Sequence, residues 1–199
     1  MKFIFLCVLC ELCANIFFKM IRIFTAFPIR NEMAETFVQL SEKNSHIENI
    51  RWTPEENFHI TLFFIGEVEE KNLSKVKANL ENVFIDQKSY SLEFESVIFK
   101  GKKHPSMLWA CFRKNEFFTE LSEKIHRSVK DFMTVASVHH DPIPHCTLAR
   151  LKPGVDISSI VTTINLLQLE LNVNTAELWQ TVQTEKGVMY KSIDQFKLH

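Results

Sequence analysis

The stretch 51–68 reads RWTPEENFHITLFFIGEV, and its centre, His59-Ile60-Thr61-Leu62, returns 86 residues later as His145-Cys146-Thr147-Leu148 within DPIPHCTLAR, 141–150. Both copies lie in apolar runs suited to a strand. Residues two apart in a strand project to one face. Each copy is therefore expected to show a His imidazole and a Thr hydroxyl together, while Ile60 with Leu62 and Cys146 with Leu148 enter the core.

The flanks of the two copies match as well. His59 lies 35 residues after Phe24 and 12 before Lys71; His145 lies 37 after Leu108 and 11 before Asp156. Hydrophobic periodicity predicts strand 21–27, helix 33–43 with Asn31 as its cap, strand 58–65, helix 71–84 and strand 91–100. The second half follows the same order, with strand 107–112, helix 116–132, strand 145–151, helix 156–167 and strands 169–173, 177–183 and 188–196. Two copies of one β-α unit, facing each other about a pseudo-two-fold axis, would bring two imidazoles and two hydroxyls to one cleft.

Composition narrows the chemistry. The chain has 199 residues, 46% of them hydrophobic and 24% charged, with 18 Phe, which is enough to fill one sizeable core and excludes disorder as the main state. Its four Gly residues, Gly66, Gly101, Gly154 and Gly187, are far apart, so no dinucleotide fingerprint or Walker loop is present. The formal net charge of −1 gives no overall attraction to a polyanion, so a nucleic acid would have to be held by a local patch. The first 19 residues open with Lys2 and an apolar run that resembles a leader, but Glu11 interrupts it and no small-x-small cleavage site follows. They are expected to be an extension or a misplaced start, ahead of a single domain over 20–199. Only Cys111 and Cys146 fall in the body, which is no disulfide framework and fits a cytoplasmic protein. No membrane partner is expected.

Two histidines titrating near about 6.5 can divide general-base and general-acid work at neutral pH. In-line displacement at phosphorus needs that pair: one ring activates water, the other protonates a leaving ribose oxygen, and Thr hydroxyls hold the non-bridging oxygens. The scheme requires no metal and no cofactor. His139, His140 and Asp141, with His145 and Cys146, form a ligand-rich segment, yet Cys146 should face away from His145, and a loop leading into the strand is the simpler reading.

With these motifs the chain resembles the 2H phosphoesterase superfamily, and within it the RNA 2′,3′-cyclic phosphodiesterase family, also called 2′-5′ RNA ligase or LigT-like. IRIFTAFPI, SMLWACF and GVMYKSI resemble that family's flanking strands. The resemblance implies an α+β, bilobal fold of two antiparallel sheets plus helices around a V-shaped cleft. It also implies hydrolysis of 2′,3′-cyclic phosphate ends of RNA or nucleotides to 2′-phosphates, with 2′-5′ ligation as the reverse chemistry, by a monomer. On matching positions His59 is the proton donor, His145 the proton acceptor, and Thr61 and Thr147 bind phosphate. Arg150 ends the second motif as a further phosphate contact, although strict alternation from His145 points it to the opposite face. Relatives acting on 2′-5′ linked oligonucleotides or ADP-ribose cyclic phosphate are the near alternative, and a non-catalytic RNA-binding module the distant one. Trp52, Phe24 and Trp109 are candidates for stacking on a base. Lys100, Lys102, Lys103 and His104 form a basic turn around Gly101, either a solvated turn or a guide for an RNA backbone.

Overall fold

In the computed structural model, which describes residues 19–134, 142–162, 170–185 and 187–199, β1 (Met20–Pro28) and β3 (His59–Glu69) pair antiparallel, with His59 opposite Pro28 and Thr61 opposite Ala26. The element order is β1, α1 (Asn31–Lys43), β2 (Ile50–Trp52), β3, α2 (Leu73–Phe84), β4 (Tyr90–Lys100), β5 (Met107–Phe112), α3 (Glu116–Val129), β6 (His145–Leu151), β7 (Glu170–Val173), β8 (Thr175–Thr184) and β9 (Gly187–Lys197).

The strands form two antiparallel sheets, β3-β1-β8-β9 and β2-β6-β5-β4-β7. The path β3-β1-β8-β9 in one sheet is mirrored by β6-β5-β4-β7 in the other, so each motif strand begins an equivalent series. The α+β class and the paired sheets agree with expectation. The lobes, however, are not the two halves of the sequence. The late strands β8 and β9 join the first sheet and the early strand β4 joins the second. One apolar core runs through both, from Ile23, Phe27 and Ile60 through Phe84 and Phe118 to Cys146 and Leu148. Each helix contributes one apolar stripe, for example Met33, Phe37 and Leu40 of α1 and Phe118, Leu121 and Ile125 of α3.

Some local expectations need correction. The α1 cap position is held by Arg30, whose extended backbone (φ −136°, ψ 175°) precedes a helix that already includes Asn31. Residues 71–72 belong to a short 3-10 turn before α2, and 130–132 to another after α3. In place of the start of helix 156–167 there is only a short 3-10 turn, Ile157–Ser159, capped by the Asp156 carboxylate, and Ile160 then leaves it in extended conformation; residues 163–167 lie outside the described residues, as do 1–18 and the His139-His140-Asp141 segment. The strand β2 was not anticipated, because three residues before Thr53-Pro54 carry no readable periodicity. Among the described residues no helix is long and apolar enough to cross a membrane.

Candidate active site

The alternation expected of the two motifs is present side chain by side chain. Ile60, Leu62, Cys146 and Leu148 are buried, whereas His59, Thr61, His145 and Thr147 are half-buried on the opposite face. β3 and β6 lie against each other across the join of the sheets. There the His59 backbone amide meets the Cys146 sulfur, an interaction that opposes the effect of burial, which pushes that thiol up to about 12. His145 is near enough for its charge to act on His59.

Both imidazoles are held in one way. The Nδ1 of His59 donates to the Asn57 carbonyl at 2.7 Å, and the Nδ1 of His145 donates to the Ile143 carbonyl at 2.8 Å, each two residues upstream. A ring nitrogen that donates to a carbonyl carries the proton, so in the neutral ring Nε2 keeps its lone pair. Nε2 of His59 lies 3.1 Å from the Thr61 hydroxyl, which donates to it.

Burial lowers the pKa of His59 to about 4, the Asn57 carbonyl opposing and His145 reinforcing the shift. His145 is also lowered, first by burial, with the Ile143 carbonyl opposing and the Lys100 charge adding to the effect. Without an anion in the cleft both rings are therefore neutral at pH 7.

Arg150 reaches the cleft, and a β-bulge explains how. Leu108 pairs with Ala149 and Trp109 with Thr147, so Leu148 has no partner across the ladder and both Leu148 and Ala149 face the core. The extra buried residue moves Arg150 onto the same face as His145 and Thr147. β3 has the equivalent bulge at Leu62, where Thr25 pairs with Phe63 and Ala26 with Thr61. Carbonyls at both bulges are satisfied: the Thr25 hydroxyl donates to Phe63 O at 3.3 Å, and Thr53 donates to Thr147 O through Oγ1 at 2.7 Å and to Leu148 O through its amide at 2.8 Å.

His59, Thr61, Thr147, Arg150, Arg51 and Tyr190 line a cavity of about 190 Å³; His145 is not in its wall but stands near enough for its charge to act on His59. Trp52 lines it too. Phe24 does not serve as a stacking surface: it is 3% exposed and packs beneath the His59 ring at 5.2 Å between centroids. Trp109 instead stacks on His145 at 3.7 Å, nearly parallel at 22°.

Sequence reasoning missed the supports on β8 and β9. Trp179 and Tyr190 flank His59 with ring centroids at 4.9 and 5.0 Å. Trp179 is anchored by its Nε1–H donating to the fully buried carboxylate of Glu177 at 2.6 Å, which also accepts from Arg30 and Gln195. Asn57, 5% exposed, donates its side-chain amide to Val188 O and accepts from the Tyr190 amide. It thus ties the far strand β9 back to the residue two before His59. The only sequence signal was Asn57's place in the first motif block; nothing local linked it to residues more than 130 positions away.

The geometry can be set beside known proteins. The family model described as the 2′-5′ RNA ligase superfamily matches residues 42–185. An RNA 2′,3′-cyclic phosphodiesterase of Archaeoglobus fulgidus is 25% identical over 179 residues, covering 88% of this chain and 99% of that protein. Another from Thermotoga maritima is 25% identical, covering 85% and 91%. Among solved structures, a Thermus thermophilus protein superposes with a TM-score of 0.77 at 22% identity, covering 89% of this chain and 97% of its own. E. coli LigT complexed with phosphate superposes at 0.70 and 19% identity, covering 90% and 98%. With the family model spanning most of a chain that also shows the paired His-Thr strands and the bilobal fold, the protein belongs to the 2′-5′ RNA ligase superfamily.

Proposed function

We propose that the protein hydrolyses 2′,3′-cyclic phosphate ends of RNA to 2′-phosphates by two-histidine acid–base catalysis. The observation that carries this reading is that His59, Thr61, Thr147 and Arg150, from different sheets, line one cavity, with His145 close enough to His59 for its charge to act on it. The names of the relatives, which cover most of both chains, support the substrate class.

In the reaction, Nε2 of His145 accepts a proton from water and the hydroxide forms a bond to phosphorus. The P–O3′ bond breaks, and Nε2–H of His59 donates its proton to O3′, leaving a free 3′-hydroxyl and a 2′-phosphate. His145 suits the base role because burial and Lys100 both favour its neutral form. His59 needs a proton, which the free protein does not hold at pH 7. The anionic phosphodiester supplies the reason to acquire one, since a negative charge beside an imidazole raises its pKa. Thr61, Thr147 and Arg150 then meet the phosphate oxygens, the guanidinium through charge-assisted hydrogen bonds. With the 5′-hydroxyl of a second strand in place of water, the same groups would serve 2′-5′ ligation.

The described residues contain no cluster of three or more metal-ligating side chains. The test is incubation of the protein with a nucleoside 2′,3′-cyclic phosphate in EDTA, followed by separation of 2′- and 3′-monophosphates. The expected product is the 2′-phosphate alone. A 3′-phosphate, or activity abolished by the chelator and restored by a divalent ion, overturns the mechanism.

A further inference from the structure

The register of the second sheet lines up cations that no sequence pattern reveals. Arg51 of β2 pairs with Arg150 of β6, Arg150 with Met107 of β5, and Met107 with Lys100 of β4. Directly opposed residues share a face, so these four form one row across the sheet, running from the catalytic cavity outward. Arg51, Arg150 and Lys100 are exposed. Arg150 Nη1 lies on the Met107 sulfur at 3.6 Å, along the row.

Like charges set opposite each other across a ladder repel, and no ion pair relieves these among the described residues. The pairs that do form, such as Lys77–Asp194 and Arg113–Glu93, lie elsewhere. An uncompensated row of cations is costly to the fold and attractive to a polyanion.

The row leads to the hairpin joining β4 to β5. That turn is held closed by Ser106 N donating to Lys100 O at 2.9 Å. It needs glycine at 101, since a Cβ there would lie 1.9 Å from the His104 carbonyl oxygen. The tight turn presents Lys102, Lys103 and His104, all exposed, just beyond Lys100. Lys100 and the motif histidine are bridged by one ring: Trp109, on the strand between them, stacks on His145, and the Lys100 ammonium lies 5.3 Å from the same indole. Two interstrand spacings of about 4.8 Å separate Arg150 from Lys100. Next to the row, Ile98 pairs with Trp109 and is 37% exposed, giving an apolar strip beside the charges. A basic stripe beside apolar and aromatic side chains suits a single strand, whose phosphates and bases face opposite ways.

We propose that this face of the second sheet carries the RNA strand leading up to the cyclic end, Lys100 taking the phosphate next to the reacting one and Lys102 and Lys103 those beyond it. The preferred substrate is then a single-stranded oligonucleotide, not a mononucleotide. The inference rests on the cyclic-phosphate reading for its orientation. It also resolves the local question raised by a net charge of −1: the attraction is confined to one stripe.

The test compares the wild type with the double variant Lys102→Glu, Lys103→Glu on a mononucleoside 2′,3′-cyclic phosphate and on a cyclic-phosphate-ended ribo-octamer, both in EDTA. Binding of a fluorescent 3′-phosphorylated ribo-octamer is followed in parallel by anisotropy. The variant should leave kcat/KM for the mononucleotide unchanged and lower it at least tenfold for the octamer, through KM. The salt slope for the octamer should shrink by about 1.4, at about 0.7 for each phosphate no longer neutralised by a lysine. Equal loss on both substrates, or no loss on either, overturns the strand path while leaving the hydrolysis intact. If the wild type turns over neither substrate, the hydrolytic reading fails by itself. In that case a tenfold weaker octamer affinity in the variant still upholds the strand path, and unchanged affinity overturns it.

Discussion

His59 and His145 are half-buried polar residues whose Nδ1 atoms are each bonded to a carbonyl two positions upstream, so the ring edge left over is the one that can act on a ligand. Replacing either by Ala should remove proton transfer and cost activity on the order of 10²–10⁴-fold each. Far-UV circular dichroism should stay close to wild type, because the buried partners Ile60, Leu62, Cys146 and Leu148 are untouched, while the melting temperature should fall modestly as each ring's aromatic packing is lost. The depressed pKa of His59 has a second consequence. Its ordinary value of 6.5 drops to about 4 in the fold. Between those limits the unfolded chain binds the proton and the folded chain does not, so stability must fall as pH falls from 6.5 towards 4 and level off below. At 1.36 kcal/mol per pH unit the loss is on the order of 3 kcal/mol. Urea unfolding at pH 7 and pH 4.5 should show it in the wild type, and His59→Gln should reduce it to the smaller part that His145, also lowered, contributes.

Among the elements, β9 is paired with β8 along its length, and one side chain, Asn57, also ties it to the first motif. It is the strand furthest from β3 in its sheet, yet Asn57 bonds both Val188 O and the Tyr190 amide and brings Tyr190 against the His59 ring. Asn57→Ala leaves those two backbone groups without partners while keeping the carbonyl that holds His59. The expected cost is about 1–3 kcal/mol of stability, read as a lower melting temperature, together with a fall in kcat on the order of tenfold as the Tyr190 wall loosens. Asn57→Asp, which keeps an acceptor for the Tyr190 amide, should lie between. Unchanged kcat in Asn57→Ala would show that β9 needs no such tie. The bulges at Leu62 and Leu148 belong to the same scale. Each adds one buried residue to its motif strand, and the second is what brings Arg150 onto the cleft face.

Across the whole molecule the two sheets exchange strands, so neither sequence half holds a complete lobe. A fragment ending before β7 lacks β8 and β9, which form half of the first sheet, and a fragment starting at β5 lacks β4, the link between β5 and β7. Expressed separately, residues 20–104 and 105–199 should each fail to give dispersed amide spectra, and the full chain should unfold in one cooperative transition. A folded, stable half would contradict the continuous core. Legibility in the sequence follows the same divide. The motif strands were readable because alternation of apolar and polar residues is a local property, and Met107–Phe112 and His145–Leu151 have the expected bounds. The helices α1, α2 and α3 were readable from their 3.6-residue stripes. β2, the cap at Arg30 and the supports Trp179, Glu177 and Tyr190 were not, because their reasons lie in partners far along the chain.

By itself, then, the sequence determined the two His-Thr faces, the residues beneath them and the class of chemistry that two imidazoles can perform, since side-chain direction in a strand depends only on position along it. Tertiary structure alone decided that late strands complete the early lobe, that a bulge turns Arg150 into the cleft, and that Arg51, Arg150 and Lys100 stand in one row. Those outcomes depend on which strands pair and in what register, and pairing is a contest among distant segments that no local pattern records.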